Sequence, residues 1–363
     1  MTGPVHPSSV SGSVPRPVPL STRLLDWYDA ERRHLPWRYA PGQAADPYRV
    51  WLSEVMLQQT TVAAVISYFN AFTTRWPTVS DLAAADDEAV MAAWAGLGYY
   101  ARARNLLKCA RVVRDSHGGQ FPDTEEDLRR LPGIGTYTAA AIAAIAFGKR
   151  AVVVDGNVER VISRMFAVTD PLPGSKDQIR TLADRLTPEE RAGDYAQAMM
   201  DLGATLCSPR KPACGLCPWM RDCDGRKQGL AEQLPAKVAK AEKPLRRGVA
   251  FWIVRWDGAV LLRRRAPEGL LGGMTEVPST PWREDEWSRA DAVPYAPVSA
   301  DWRPLRGLVR HTFTHFHLEL TVLSGVAKGG EYPGCRWVLP EDMEGEALPT
   351  VMRKIVRLAL GQG

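Results

Sequence analysis

Between residues 21 and 221 apolar positions recur at helical spacing, with Asp, Ser or Thr ahead of the apolar runs and Gly or Pro behind them. This is the pattern of capped amphipathic helices, and it predicts a largely helical domain. Beyond a Pro-, Ala- and Lys-rich stretch at residues 231–247 the period shortens to two. Val249-Ala-Phe-Trp-Ile-Val-Arg-Trp256, then Asp257-Gly258, then Ala259-Val-Leu-Leu262 reads as a β-hairpin closed by an Asp-Gly turn. His311-Thr-Phe-Thr-His-Phe-His-Leu-Glu-Leu-Thr-Val322 reads as another alternating strand and residues 351–360 as a closing helix, so a smaller α+β domain is expected here. No internal repeat of fixed period is visible. The expected organisation is a disordered tail (1–20), a helical domain (21–230), a basic linker (231–247) and the α+β domain (248–363).

Composition narrows the class. The 363 residues, 45% hydrophobic and 24% charged, suffice for a sizeable core and for two domains. The apolar run Thr138-Ala-Ala-Ala-Ile-Ala-Ala-Ile-Ala-Phe147 is about half the roughly 20 residues that a membrane span needs, so none is expected. Pro4, Pro7, Pro15, Pro17 and Pro19 lie among serines and valines with no continuous apolar stretch, which reads as a disordered tail and not as a secretory signal. The net charge is +5, and residues 207–247 hold ten Lys or Arg against four Asp or Glu, enough to account for the whole surplus. Such a strip suits either a phosphate-facing surface or a solvated linker.

Cys207, Cys214, Cys217 and Cys223 follow the pattern Cys-x6-Cys-x2-Cys-x5-Cys. Four cysteines crowded into seventeen residues, with no secretory leader, favour metal over disulfides. Zinc and an iron-sulfur cluster both accept four thiolates, so the spacing leaves both open, with the long first gap favouring a cluster. Cys109 and Cys335 read as buried small hydrophobes.

Upstream, Asp127-Leu-Arg-Arg-Leu-Pro-Gly-Ile-Gly-Thr-Tyr-Thr-Ala139 joins two helices through a Pro-Gly-x-Gly turn. Gly133 and Gly135 allow close backbone approach, and amides beside a helix N-terminus hold a DNA phosphate without reading bases. A plain helix-turn-helix connection would use the same residues. Asp155, between Ala151-Val-Val-Val154 and Gly156-Asn157, takes a helix-cap position, a role compatible with catalysis. Glu54 in Val50-Trp-Leu-Ser-Glu-Val-Met-Leu57 is a carboxyl among apolar neighbours, where desolvation raises the pKa. A structural glutamate hydrogen-bonded inside the core is the competing reading. A protonated Glu and an ionised Asp are the pair that cleavage of a glycosidic bond requires: an acid for the leaving group and an anion for the oxocarbenium ion.

Taken together these residues resemble the MutY-type adenine DNA glycosylases of the helix-hairpin-helix, endonuclease III-like superfamily. The resemblance runs from about Leu24 to near the C-terminus. It is carried by Leu35-Pro-Trp-Arg38, Trp51-Leu-Ser-Glu-Val-Met-Leu-Gln-Gln-Thr60, Gly96-Leu-Gly-Tyr-Tyr-Ala-Arg-Ala-Arg-Asn105, the helix-turn-helix of residues 127–139, Val154-Asp-Gly-Asn-Val-Glu-Arg160, Gln197-Ala-Met-Met-Asp-Leu-Gly203 and the cysteine quartet.

The resemblance implies a mainly α helix-hairpin-helix glycosylase domain with a 4Fe-4S cluster, followed by an α+β Nudix-like domain. It also implies base excision repair of double-stranded DNA holding 8-oxoG:A or G:A mispairs, with adenine flipped into a pocket. Glu54 would protonate adenine N7, and Asp155 would stabilise the sugar cation or form a covalent intermediate before water enters. Trp37 and Arg38 would line the base pocket and Asn157 would support the sugar. Gln59, Thr60 and Tyr99 would contact or wedge beside the damaged guanine. Strand-cutting members carry a lysine where this chain has Tyr137, so the resemblance implies a monofunctional enzyme, with Tyr137 bonding a catalytic carboxylate. Its abasic product would pass to downstream processing enzymes. A monomer, cytoplasmic and associated with a bacterial nucleoid, is expected.

In the C-terminal region, Phe313, Thr314 and His315 match the Phe-Ser-His loop by which the family probes 8-oxoguanine. Threonine keeps the hydroxyl of the serine it replaces. Phe313 and His315 alternating on a half-buried strand is the plainer reading. Glu276 with Trp282-Arg-Glu-Asp-Glu-Trp287 does not reproduce the glutamate-rich metal box of a Nudix hydrolase, so this domain is expected to recognise and not to hydrolyse. Two rivals stand beside this reading. One is a thymine- or pyrimidine-specific glycosylase of the same fold, which would not need residues 249–322. The other is a non-catalytic iron-sulfur damage sensor, in which Glu54 and Asp155 are dispensable.

Overall fold

The computed structural model describes residues 18–238, 242–266 and 268–361. Residues 1–17 of the expected tail and 239–241 of the expected linker lie outside the described residues. In chain order the helices are α1 (Leu20–Glu31), α2 (Pro47–Leu57), α3 (Val62–Arg75), α4 (Val79–Ala84), α5 (Asp87–Trp94), α6 (Ala101–His117), α7 (Glu125–Leu128), α8 (Thr136–Phe147), α9 (Gly156–Met165), α10 (Lys176–Leu186), α11 (Ala192–Thr205) and α12 (Asp224–Lys227). Then come β1 (Leu245–Val254), β2 (Val260–Arg264), β3 (Thr275–Glu276), α13 (Arg289–Ala292), β4 (Arg303–Pro304), β5 (Val309–Thr312), β6 (His317–Val326), β7 (Cys335–Val338) and α14 (Thr350–Ala359).

The chain forms two compact units. The first holds α1, α9 to α12 and the cysteine loop. Its core joins Leu24 and Tyr28 of α1 to Val158, Val161 and Ile162 of α9, Ile179 of α10 and Met199 and Leu202 of α11, with Trp219 from the cysteine loop. Cys207, Cys217 and Cys223 pack against this core, so the loop is an extension of it.

The second unit contains α2 to α8 and all residues described from Val238 onward. Asp46 caps α2 by accepting from the Tyr48 N–H, and Pro47 opens the helix at a position where no amide is required. Eight of the eleven residues of α2 are buried, so the helix lies in the core with its Ser53 and Glu54 side chains enclosed. It packs on α8, whose alanines let neighbouring backbones approach closely.

In the same unit β1 runs parallel to β6 over its full length, from Leu245 opposite His317 to Val254 opposite Val326. The sheet order is β3-β2-β1-β6-β4, with β5 paired to β6 and β7 to β2. The expected Asp-Gly hairpin is present: Gly258 has φ 87°, and the Arg255 N–H donates to the Ala259 carbonyl at 2.8 Å. Val351, Met352 and Ile355 of α14 cover one face of the sheet, where Leu318, Leu320 and Val322 point. The other face is filled by Phe251, Ile253, Leu261 and Trp302.

Two sequence expectations need correction. The single strand expected over His311 to Val322 is instead an antiparallel hairpin of β5 and β6, closed where the Phe313 N–H donates to the Phe316 carbonyl at 2.9 Å. The turn escapes notice because it carries aromatic residues: Phe313 and Phe316 fold back onto Trp282, with ring centroids 5.6 and 6.3 Å away. Cys335 is half-buried on β7 and not buried, whereas Cys109 is fully buried and its thiol is pushed up to about 12 by that burial.

Candidate active site

Glu54 lies on the last turns of α2 and is 6% exposed. The Tyr137 hydroxyl donates to Glu54 Oε2 at 2.7 Å. Tyr137 reaches it from the first turn of α8, immediately after the glycine turn, and the same pair of helices is joined where Gln58 donates to Thr138 Oγ1 at 3.2 Å. The turn itself depends on Gly133: its φ is +77°, and a Cβ there would come within 2.7 Å of the Asn105 Cβ. Gly135 has no such constraint, since nothing lies within 4 Å of where its Cβ would be.

Asp155 caps α9 in the first unit. Its Oδ1 accepts from the amides of Asn157 at 2.9 Å and Val158 at 2.8 Å, and its Oδ2 from Asn157 Nδ2 at 2.8 Å. Three N–H donors at a helix N-terminus present their positive ends to this carboxylate. Asn157 is held in turn: Arg160 donates to its Oδ1 at 2.9 Å, and to the carbonyls of Gly203 at 2.7 Å and Cys207 at 2.8 Å. Only a glycine fits at 203, because a Cβ there would lie 2.6 Å from the Asn157 Cβ. A chain of hydrogen bonds therefore runs from the cysteine loop to Asp155.

Cys207 and Cys223 lie against Arg164, which is 2% exposed, and Cys217 is within electrostatic reach of Cys207, Cys214 and Cys223. The Arg164 guanidinium donates to Cys207 Sγ at 3.3 Å and to the carbonyls of Ser208, Pro209 and Leu234, while the Cys223 thiol donates to the Arg164 carbonyl at 3.3 Å. Burial pushes the Cys217 thiol up to about 11, and the nearby Cys207, Cys223 and Cys214 add to this. Among the described residues no three His, Cys, Asp or Glu side chains close around one point as tightly as a single ion needs. Four thiols within electrostatic reach, backed by a cation, are a donor set that an iron-sulfur centre takes.

The remaining expected residues fall in the second unit. Trp37 is buried edge-on to Phe69, with centroids 5.2 Å apart, and Arg38 is half-buried. Gln59 and Tyr99 are exposed and adopt left-handed backbone, at φ 58° and 49°. The Tyr99 hydroxyl meets Thr314 Oγ1 at 2.8 Å, which joins the loop before α6 to the tip of the β5–β6 hairpin. Thr314 and His315 are exposed there, whereas Phe313 is half-buried between His311 and Phe316. Sequence reasoning missed Arg102, Arg160 and Arg164. The last two stand at i and i+4 on α9, a faint signal that they share one face.

Residues 52–189 match the HhH-GPD superfamily base excision DNA repair protein family, and residues 249–358 match the NUDIX domain family. The adenine DNA glycosylase of Homo sapiens is 38% identical over 402 aligned positions, covering 93% of this chain and 73% of its own length. That of Mycolicibacterium smegmatis is 42% identical over 207 positions, covering 57% of this chain and 69% of its own. Among solved structures, a thermostable thymine-DNA glycosylase matches with a TM-score of 0.52 and 30% identity, covering 57% of this chain and 95% of its own. A helical glycosylase fold, a Nudix-like sheet after it and 38% identity with the human protein over 93% of the chain lead to one assignment: this chain belongs to the adenine DNA glycosylase family.

Proposed function

We propose that this chain removes adenine mispaired with 8-oxoguanine, and adenine opposite guanine, from double-stranded DNA in base excision repair. The observation that carries the reading is the Tyr137 hydroxyl on Glu54 Oε2, which orients a buried carboxyl and puts a phenol where a strand-cutting relative needs an amine. Glu54 gives its proton to N7 of the extruded adenine, so that the base leaves as a neutral molecule. The glycosidic electron pair departs with the base. Asp155, held by its three N–H donors, stabilises the positive charge left on the sugar or bonds to it covalently; water then adds its hydroxyl at the anomeric carbon, the Asp155 carboxylate leaving if it was bonded, and the water's remaining proton restores the Glu54 carboxyl. Asn157 keeps Asp155 in place, Trp37 and Arg38 hold the adenine, and Gly133 and Gly135 lend amides to a phosphate. Gln59, Thr60, Tyr99, Phe313, Thr314 and His315 address the 8-oxoguanine.

Cys207, Cys214, Cys217 and Cys223 would hold a 4Fe-4S cluster, which when bound would fix the fold of its loop. Four thiols within electrostatic reach of one another, two of them against Arg164, support this, as does the hydrogen-bonded route from that loop to Asp155. The adenine reading is preferred to a thymine-specific one because similarity to adenine-type relatives spans 93% of the chain, against 57% for the thymine-DNA glycosylase. The test is base release from duplexes with A opposite 8-oxoG, A opposite G and T opposite G. Adenine released fastest opposite 8-oxoG supports the proposal; release of thymine alone overturns it.

A further inference from the structure

Arg102, on α6, is a buried cation with no carboxylate partner among the described residues. It is 9% exposed, and its guanidinium makes five hydrogen bonds. One arm donates to the carbonyls of Val55 and Met56 at 2.9 Å each. The other donates to Thr60 Oγ1 at 3.1 Å and to the carbonyls of Leu97 and Gly98 at 3.2 Å each. The plane sits over the rings of Trp94 and Tyr99, 5.3 and 5.5 Å from their centroids. Burial lowers its pKa to about 10. Buried charges ordinarily find an opposite charge, and an apolar side chain would fill this space at smaller cost in desolvation.

What an apolar side chain would not do is tie three backbone segments together. The first is the end of α2, where Val55 directly follows Glu54. The second carries Gln59 and Thr60, and the third carries Tyr99. The latter two each hold a non-glycine residue in left-handed backbone, and such strain persists only where the surroundings over-determine it. Tyr99 then passes the constraint onward through its hydroxyl to Thr314.

We propose that Arg102 is a positioning residue that couples the acid to the reader: its fork locks the helix of Glu54 to the Gln59–Thr60 and Tyr99 loops, and through Tyr99 to Thr314. Contact with the base opposite adenine is thereby felt at the carboxyl that protonates adenine. This inference rests on the 8-oxoguanine reading above.

The experiment measures single-turnover adenine release from A·8-oxoG and A·G duplexes by the native chain, Arg102→Lys and Tyr99→Phe. An ammonium cannot span five acceptors on three segments, so Arg102→Lys should slow release opposite 8-oxoG by about tenfold or more and opposite G far less. The ratio of the two rates falls toward one, and Tyr99→Phe lowers it in part. A merely structural role would reduce the active fraction and leave the ratio alone, and that result overturns the inference. If Arg102→Lys does not fold, Tyr99→Phe, Thr314→Val and their double variant carry the test. The double variant lowering the ratio no further than either single one supports coupling, and additive effects overturn it. Equal native rates on both duplexes would instead sink the 8-oxoguanine reading itself.

Discussion

Tyr137→Phe deletes one oxygen, the donor that lies 2.7 Å from Glu54 Oε2. A hydrogen bond to an ionised group contributes about 1.5–3 kcal/mol, against about 0.5–1.5 kcal/mol between neutral partners. Glu54 passes from neutral to ionised as it protonates the adenine, so the hydroxyl favours the transition state over the ground state by about 1–1.5 kcal/mol. At about 1.36 kcal/mol per factor of ten, the variant should release adenine about tenfold more slowly. The phenylalanine ring fills the same space against α2, so DNA affinity should not change and stability should fall by no more than the about 0.5–1.5 kcal/mol of a neutral hydrogen bond. Single-turnover release with enzyme in excess gives the rate, and a thermal melt and a DNA titration give the controls. A rate indistinguishable from the native one would refute the reasoning, because it would mean that the hydroxyl bonds both states of Glu54 equally or is not beside the reacting group.

Gly133→Ala must place a Cβ 2.7 Å from the Asn105 Cβ at a φ of +77°. Thermal unfolding should report a loss of about 1–3 kcal/mol, and titration of an undamaged duplex should report weaker binding irrespective of sequence. Arg164→Met leaves the carbonyls of Ser208, Pro209 and Leu234 and the sulfur of Cys207 without their donor. Stability should fall by about 2–4 kcal/mol, and the visible absorbance expected of an iron-sulfur centre should bleach at lower chelator concentration than in the native chain.

Where a residue's role rests on local pattern, the sequence discloses it. Asp155 before Gly156-Asn157 reads as a helix cap and is one, and Glu54 reads as a carboxyl on an apolar helix and is buried on α2. The Asp257-Gly258 hairpin follows from turn chemistry alone. Long-range pairing is another matter: nothing local marks β1 as the parallel neighbour of β6, because that register is set by the shared core and not by either strand. The β5–β6 turn is hidden because Phe313 and Phe316 gain more by packing on Trp282 than a conventional turn residue would. Arg102 and Arg160 are illegible for a third reason. Most of their acceptors are backbone carbonyls, and carbonyls have no sequence.

The most direct measurement is adenine release from an A·8-oxoG duplex by Glu54→Gln under single-turnover conditions, with binding followed on the same duplex. Glutamine keeps the shape of the side chain but has no proton to give, so release should fall by about 10²–10⁴ while the duplex is still bound. Release at the native rate would contradict the assignment of Glu54 as the acid.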